Sequence, residues 1–159
     1  MHIFHPWREL GRRMPHITVK FTDELTPPLL GETDGHSEIK IRKRLLQIDR
    51  RCTILHEMIH IEHGHDGHVE GSAERAVEVE TATLLLPLDF LVWGLRWTLD
   101  PEELAEELWV RRDVLDTRLE SLTDIEVHAV REAVSDAHGR EATRLVTIRS
   151  PEHDAPGCG

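Results

Sequence analysis

Thr53-Ile-Leu-His-Glu-Met-Ile-His-Ile-Glu-His-Gly64 is the stretch on which the reading of this chain turns. It contains His56-Glu57-Met58-Ile59-His60, a His-Glu-x-x-His pattern. Residues four apart on a helix share a face, so His56 and His60 can aim two imidazoles at one ion. Glu57 lies one position round the helix. From there its carboxylate reaches a water held by that ion and serves as general base. Ile54, Leu55, Met58, Ile59 and Ile61 make the remaining faces apolar. That is the pattern of a buried helix with one polar stripe, as a metal centre needs. The competing reading is a solvated helix that carries two His by chance, in a chain with 12 of them. Gly64 supplies the stop at the helix C-terminus.

Toward the N-terminus, the motif helix is expected to begin near Arg44 to Asp49. Ser37 to Arg42 alternates through Ile39 and Ile41 and reads as a strand, as does Ile17 to Phe21, with Ile17, Val19 and Phe21 facing inward. Between them Pro27-Pro28 and Gly31-Glu-Thr-Asp-Gly35 break regular structure, the latter as a hairpin turn. A small antiparallel sheet ahead of the motif helix follows from this pattern. A short helix over Trp7 to Arg13, closed by Pro15, precedes it.

Toward the C-terminus, His65 to Gly71 is a connecting loop. The extended pattern His-Glu-x-x-His-x-x-Gly-x-x-His is not met, because His63 and Asp66 stand where Gly and the last His belong. His63, His65 and His68 are therefore expected in a solvated loop. Ser72 is placed as the cap of a helix running to Pro87. Glu74 and Glu78 share a face of it. A Glu from this second helix, facing the two His, would complete a His2Glu site, and a carboxylate one turn on could fix a ligand's tautomer. An ordinary acidic face of Glu74, Glu78 and Glu80 is the alternative. Residues 88–97 form an amphipathic helix, and Trp7, Trp93, Trp97 and Trp109 are assigned to packing. Asp100-Pro101 restarts a helix as N-cap and first residue. Residues 101–108, a turn at Trp109-Val110, and residues 112–122 resemble a helix-turn-helix, more suited to building a substrate groove than to reading bases, since Asp113, Asp116 and Glu120 accompany its arginines. Thr123-Asp-Ile-Glu126 opens a last helix, closed by Gly139. Residues 145–148 read as a strand or extended arm and 150–159 as a disordered tail.

The two motifs in register resemble the ImmA/IrrE family of gluzincin-like metallopeptidases. The matching residues are His56, Glu57 and His60, then Glu74, Val77 and Glu78, then Leu84 to Pro87, with Arg50 to Leu55 similar to the family's approach to its motif. The likeness spans residues 16–122. It implies His56, His60 and Glu74 as ligands of one Zn²⁺, with Mn²⁺ or another divalent ion also compatible. It implies Glu57 as general base and Glu78 as partner of a ligating His. Glu80 stands where the family commonly has an aromatic and is the rival third ligand. Glu80 is about 240° round the helix from Glu74, so only one of them can face the metal. Glu74 is preferred. The implied activity is cleavage of a peptide bond in a repressor-type DNA-binding protein. With no Tyr in the chain, a Tyr oxyanion donor is excluded, and His128 and Arg131 are the candidates.

Composition agrees with this reading. The chain has 159 residues, 39% hydrophobic and 31% charged, enough for one core. Met1 to Leu10 has no apolar run of the signal-peptide kind, and nothing approaches a membrane span. Cys52 and Cys158 have no metal-type spacing, and a reducing cytoplasm is expected. Cys52 is assigned to core packing. A net charge of −11 disfavours direct nucleic-acid binding and favours a basic protein partner. The expected class is therefore α+β. A metallopeptidase core spans 1–98, a helical helix-turn-helix-like region 99–149, and the tail 150–159. A non-catalytic repressor-binding protein and a helix-turn-helix DNA-binding regulator are the alternatives.

Overall fold

The computed structural model describes residues 3–67 and 69–138. Gly139, the arm at 145–148, the tail at 150–159, Cys158 and His68 lie outside the described residues.

The fold is α+β. Helix α1 (Pro6–Arg13) leads into strand β1 (Thr18–Thr22), then β2 (Gly31–Thr33) and β3 (Glu38–Arg42). Six helices follow: α2 (Gln47–Glu62), α3 (Ser72–Leu85), α4 (Leu88–Trp97), α5 (Pro101–Glu107), α6 (Arg112–Glu120) and α7 (Asp124–His138).

Helix α2 is the axis of the molecule. Cys52, Leu55 and Ile59 lie on one face and join a core built with α3 to α7. Ile54 and Met58 lie on the opposite face and join a second core with Leu10, Met14, Ile39 and Ile41. The helix is thus clamped between the helical layer and the sheet layer. The stripe of Thr53, His56, Glu57 and His60 is left to face the cleft between the layers. At about 25 cal/mol per Å² of apolar area, two buried faces anchor this helix more firmly than propensity can.

The sheet is mixed, not antiparallel. Its order is β1-β3-β2, with β1 parallel to β3 and β2 antiparallel to β3. Alternation in a strand marks which face is buried but carries no information about the direction of its neighbour. The predicted turn at Gly31 to Gly35 is strand β2 itself, and the reversal follows it. Asp34 closes that reversal by accepting from the backbone N–H groups of His36, Ser37 and Glu38 at 2.9, 2.8 and 2.9 Å. These bonds, with the Ser37 hydroxyl, hold the Asp34 carboxyl well below the usual carboxylate range.

One packing expectation is refined and one corrected. Phe21 is in register with buried Ile41 and shares its face, but at the edge of the sheet it stays half-exposed; its ring lies 6.4 Å from that of Trp7, and Arg50 sits over it. None of the four Trp is buried, since each is more than two-fifths exposed. The core is built instead from Leu, Ile and Val.

Helix boundaries follow local signals closely. Asp100 caps α5 by accepting from the N–H groups of Glu102 and Glu103. Thr123 and Glu126 form the reciprocal cap of α7, the Thr123 N–H donating to the Glu126 carboxylate at 3.0 Å. Gly71, with φ of 67°, takes the cap position of α3 expected of Ser72. Helices α5 to α7 share one apolar cluster with α2 to α4, so the core is continuous across residues 98 and 99. Among the described residues no helix is long and apolar enough to cross a membrane.

Candidate metal centre

Helices α2 and α3 pack side by side and bring His56, His60 and Glu74 together. One donor atom from each lies within 4.8 Å of the other two. The two imidazole Nε2 atoms are 3.0 Å apart. Glu74 Oε1 is 3.0 Å from His56 Nε2, and Oε2 is 3.3 Å from His60 Nε2. Ligands in a tetrahedral Zn²⁺ site, each near 2.0–2.1 Å from the ion, stand about 3.3 Å from one another. Two nitrogens and one carboxylate oxygen at these separations fit such an ion.

The electrostatics match. Burial, and then the nearby Arg111 guanidinium, push the His56 pKa down to about 4. His56 is therefore neutral at pH 7, the form that ligates, and its contact with Glu74 is not an ion pair. Burial, and then the carboxylates of Glu74 and Glu32, push the Glu57 pKa up to about 8. A cation held beside it would lower that value again. Glu57 is only 6% exposed and points at the cleft beneath β2.

That proximity depends on Gly31. A Cβ there would lie 2.4 Å from Thr53 Cγ2 and 3.0 Å from Glu57 Oε1. Only a residue without a side chain lets β2 approach α2 so closely. Cavities of about 510 and 190 Å³ share Leu29, Gly31, His56, Glu57 and Glu74 in their walls. The larger is completed by Arg75 and Glu78 from α3, and by Arg111, Asp113, Val114 and Thr117.

Other expected residues fall elsewhere. Glu80 turns away from the two histidines and meets His63 Nε2 at 2.7 Å. Glu78 lines the cleft, but its carboxylate accepts from Arg75 at 3.1 Å, not from a histidine. Neither His128 nor Arg131 lines the cleft; His128 is exposed and pairs with Glu132.

Two residues were missed. His65 is not a free loop residue: its Nδ1 lies 3.0 Å from Nδ1 of His60. With Nε2 of His60 turned to the metal position, the Nδ1–H of His60 donates to His65, which sets tautomer and ring orientation. The signal was Gly64, whose φ of 69° folds the chain back over the helix end. The N–H groups of Gly64 and His65 then donate to the carbonyls of Ile61 and His60, both at 3.0 Å. Arg111 is the second. It lies in the turn between α5 and α6, paired with Asp113, at the wall of the cleft beside His56.

Helix α6 contributes to this wall while its cations are engaged. Arg112 pairs with Glu102 and Asp116, and Arg118 is buried against Glu126. Comparison with protein-family models, characterised protein sequences and solved structures returns no match.

Proposed function

We propose that this protein is a metal-dependent endopeptidase, with Zn²⁺ as its ion, acting on a basic repressor-type protein. The observation that carries the reading is the convergence of His56, His60 and Glu74, with buried Glu57 beside them. The resemblance of the two helical motifs to the ImmA/IrrE family supports the same conclusion.

His56, His60 and Glu74 would hold the ion through Nε2, Nε2 and a carboxylate oxygen. When bound, a divalent cation supplies Lewis acidity toward a peptide carbonyl and lowers the pKa of water. Glu57, buried at the cleft floor, accepts the proton of the attacking water and passes it to the leaving nitrogen. Arg111, held by Asp113, supplies fixed positive charge at the cleft wall, where the carbonyl oxygen becomes negative. Strand β2 is an edge strand whose residues line the cleft, so an extended substrate can lie along it as an added strand. The net charge of −11 speeds encounter with a basic protein and slows encounter with nucleic acid.

The test combines elemental analysis with a cleavage assay on a repressor-type substrate. About one ion per chain is expected in wild type and in Glu57→Gln and Glu80→Ala, and none in His60→Ala or Glu74→Ala. Glu57→Gln should lose at least about 10²-fold in cleavage rate with metal and fold retained. A partner inactivated equally well by Glu57→Gln would leave a non-catalytic binding protein instead.

A further inference from the structure

A separate cavity, of about 360 Å³, lies at the N-terminal end of α2, away from His60 and Glu74. Its walls include Trp7 and Arg8 from α1, Gln47, Arg50 and Arg51 from α2, and Trp109 from the turn after α5. No acidic side chain lines it, in a chain where Asp and Glu outnumber Lys and Arg by 30 to 19.

Arg51 is the unusual member. It is 4% exposed, yet no carboxylate pairs with it among the described residues. Its guanidinium donates to the carbonyls of Trp109 at 2.7 Å and Phe4 at 3.3 Å, and its buried Nε has no partner. Its guanidinium also lies 5.6 Å from the centre of the Trp109 ring. Neutral carbonyls and one ring face satisfy the group in part but supply no counter-charge to a buried cation. Burial depresses its pKa, and the neighbouring Cys52 thiol acts in the opposite direction. Arg8 and Arg50 likewise form no ion pair among the described residues. Trp7 and Trp109 present 43% and 41% of their surface, and Trp109 holds a φ of 56° that a non-glycine residue rarely adopts.

Three arginines answer an anion bidentately, and two part-exposed indoles offer stacking faces to a planar ring. The volume lies in the small-molecule range. We propose that this cavity binds a free mononucleotide-type ligand, its phosphate held by Arg8, Arg50 and Arg51 and its base by Trp7 and Trp109. A nucleic-acid chain offers the same chemistry, but a polyanion extending from the cavity would meet the repulsion of an acidic protein. The assignment is independent of the peptidase reading.

The test uses the whole metal-free chain and adenosine 5′-monophosphate, followed by tryptophan fluorescence and calorimetry. Saturable binding is expected, with adenosine and inorganic phosphate each at least about tenfold weaker. Arg51→Gln risks misfolding, so the decisive variants are the surface changes Arg8→Gln and Trp7→Leu, checked for unchanged thermal melting. Each should weaken the nucleotide about tenfold. His60→Ala should leave binding unchanged, which separates this cavity from the metal centre. Absence of saturable binding overturns the proposal, as does equal binding by Arg8→Gln and Trp7→Leu. Tighter binding of a single-stranded oligonucleotide than of the mononucleotide overturns the free ligand as occupant.

Discussion

His65 and Gly31 govern the centre without contacting the metal position. His65 holds the Nδ1 of His60 at 3.0 Å, so its removal should loosen the ring it orients. We expect His65→Ala to lower metal affinity about 10- to 100-fold in chelator competition, with part of the loss recovered in His65→Asn, which keeps an acceptor. Unchanged affinity in His65→Ala would remove the positioning role. Gly31 acts through space. The added methyl of Gly31→Ala would lie 2.4 Å from Thr53 Cγ2 and must displace β2 or α2. The expected cost is about 1–3 kcal/mol in urea denaturation, as for overpacking. Thr53→Ser in that background removes Cγ2 and should restore part of it; no recovery would place the strain elsewhere. His56, Glu57 and His60 were legible from spacing because a helix face is a local property. Arg111 was not, since it reaches the cleft across helices.

At the level of elements, a buried ionic contact ties α6 to α7 beside their shared apolar cluster. Arg118, 2% exposed, donates to the carbonyl of Leu86 at 2.9 Å and to the Glu126 carboxylate at 2.6 Å. Glu126 also closes the cap of α7 through Thr123. Glu126→Gln leaves the buried guanidinium without its counter-charge and should cost about 1.5–3 kcal/mol in denaturant unfolding at pH 7. The pH dependence has a definite sign. The bond from Arg118 and the N–H of Thr123 depress the Glu126 pKa below its ordinary 4.5. Its contribution is therefore complete above pH 4.5 and fades as pH falls through the lower folded-state value. The difference in melting temperature between wild type and Glu126→Gln should narrow below pH 4.5; a gap that stays constant down to pH 2 would contradict this coupling. The reciprocal cap itself was visible in Thr123-Asp-Ile-Glu126. Strand β2 was not, because Gly-Glu-Thr has no alternation and becomes a strand only by pairing with β3.

At the scale of the molecule, the core does not divide where the helix-turn-helix-like region was expected to begin. Leu104, Leu108, Leu115, Val130 and Val134 pack in one cluster with Leu55, Ile59 and Leu85. A chain ended after residue 98 would expose that face of α2, α3 and α4. We expect it to show no cooperative unfolding transition and to lose the melting signal of the full chain. A cooperative transition in the truncated chain would establish 1–98 as a domain in its own right. The same packing seats α6 against α3, so the helix-turn-helix-like unit walls the cleft.

The amino-acid order alone determined the helices, the caps of α5 and α7 and the pairing of His56 with His60, because helical periodicity and capping act within a few residues. It also carried two candidate carboxylates on α3, one on each side of a choice about 240° apart. Which of them meets the histidines depends on how α3 rolls against α2, and burial of Val77, Ala82 and Leu85 turns Glu74 inward and Glu80 toward His63. Strand direction, the outward-facing Trp side chains and the arrival of Arg111 and His65 beside the site were decided the same way. Each depends on contacts between segments distant in sequence or on a backward turn, and hydrophobic periodicity records neither.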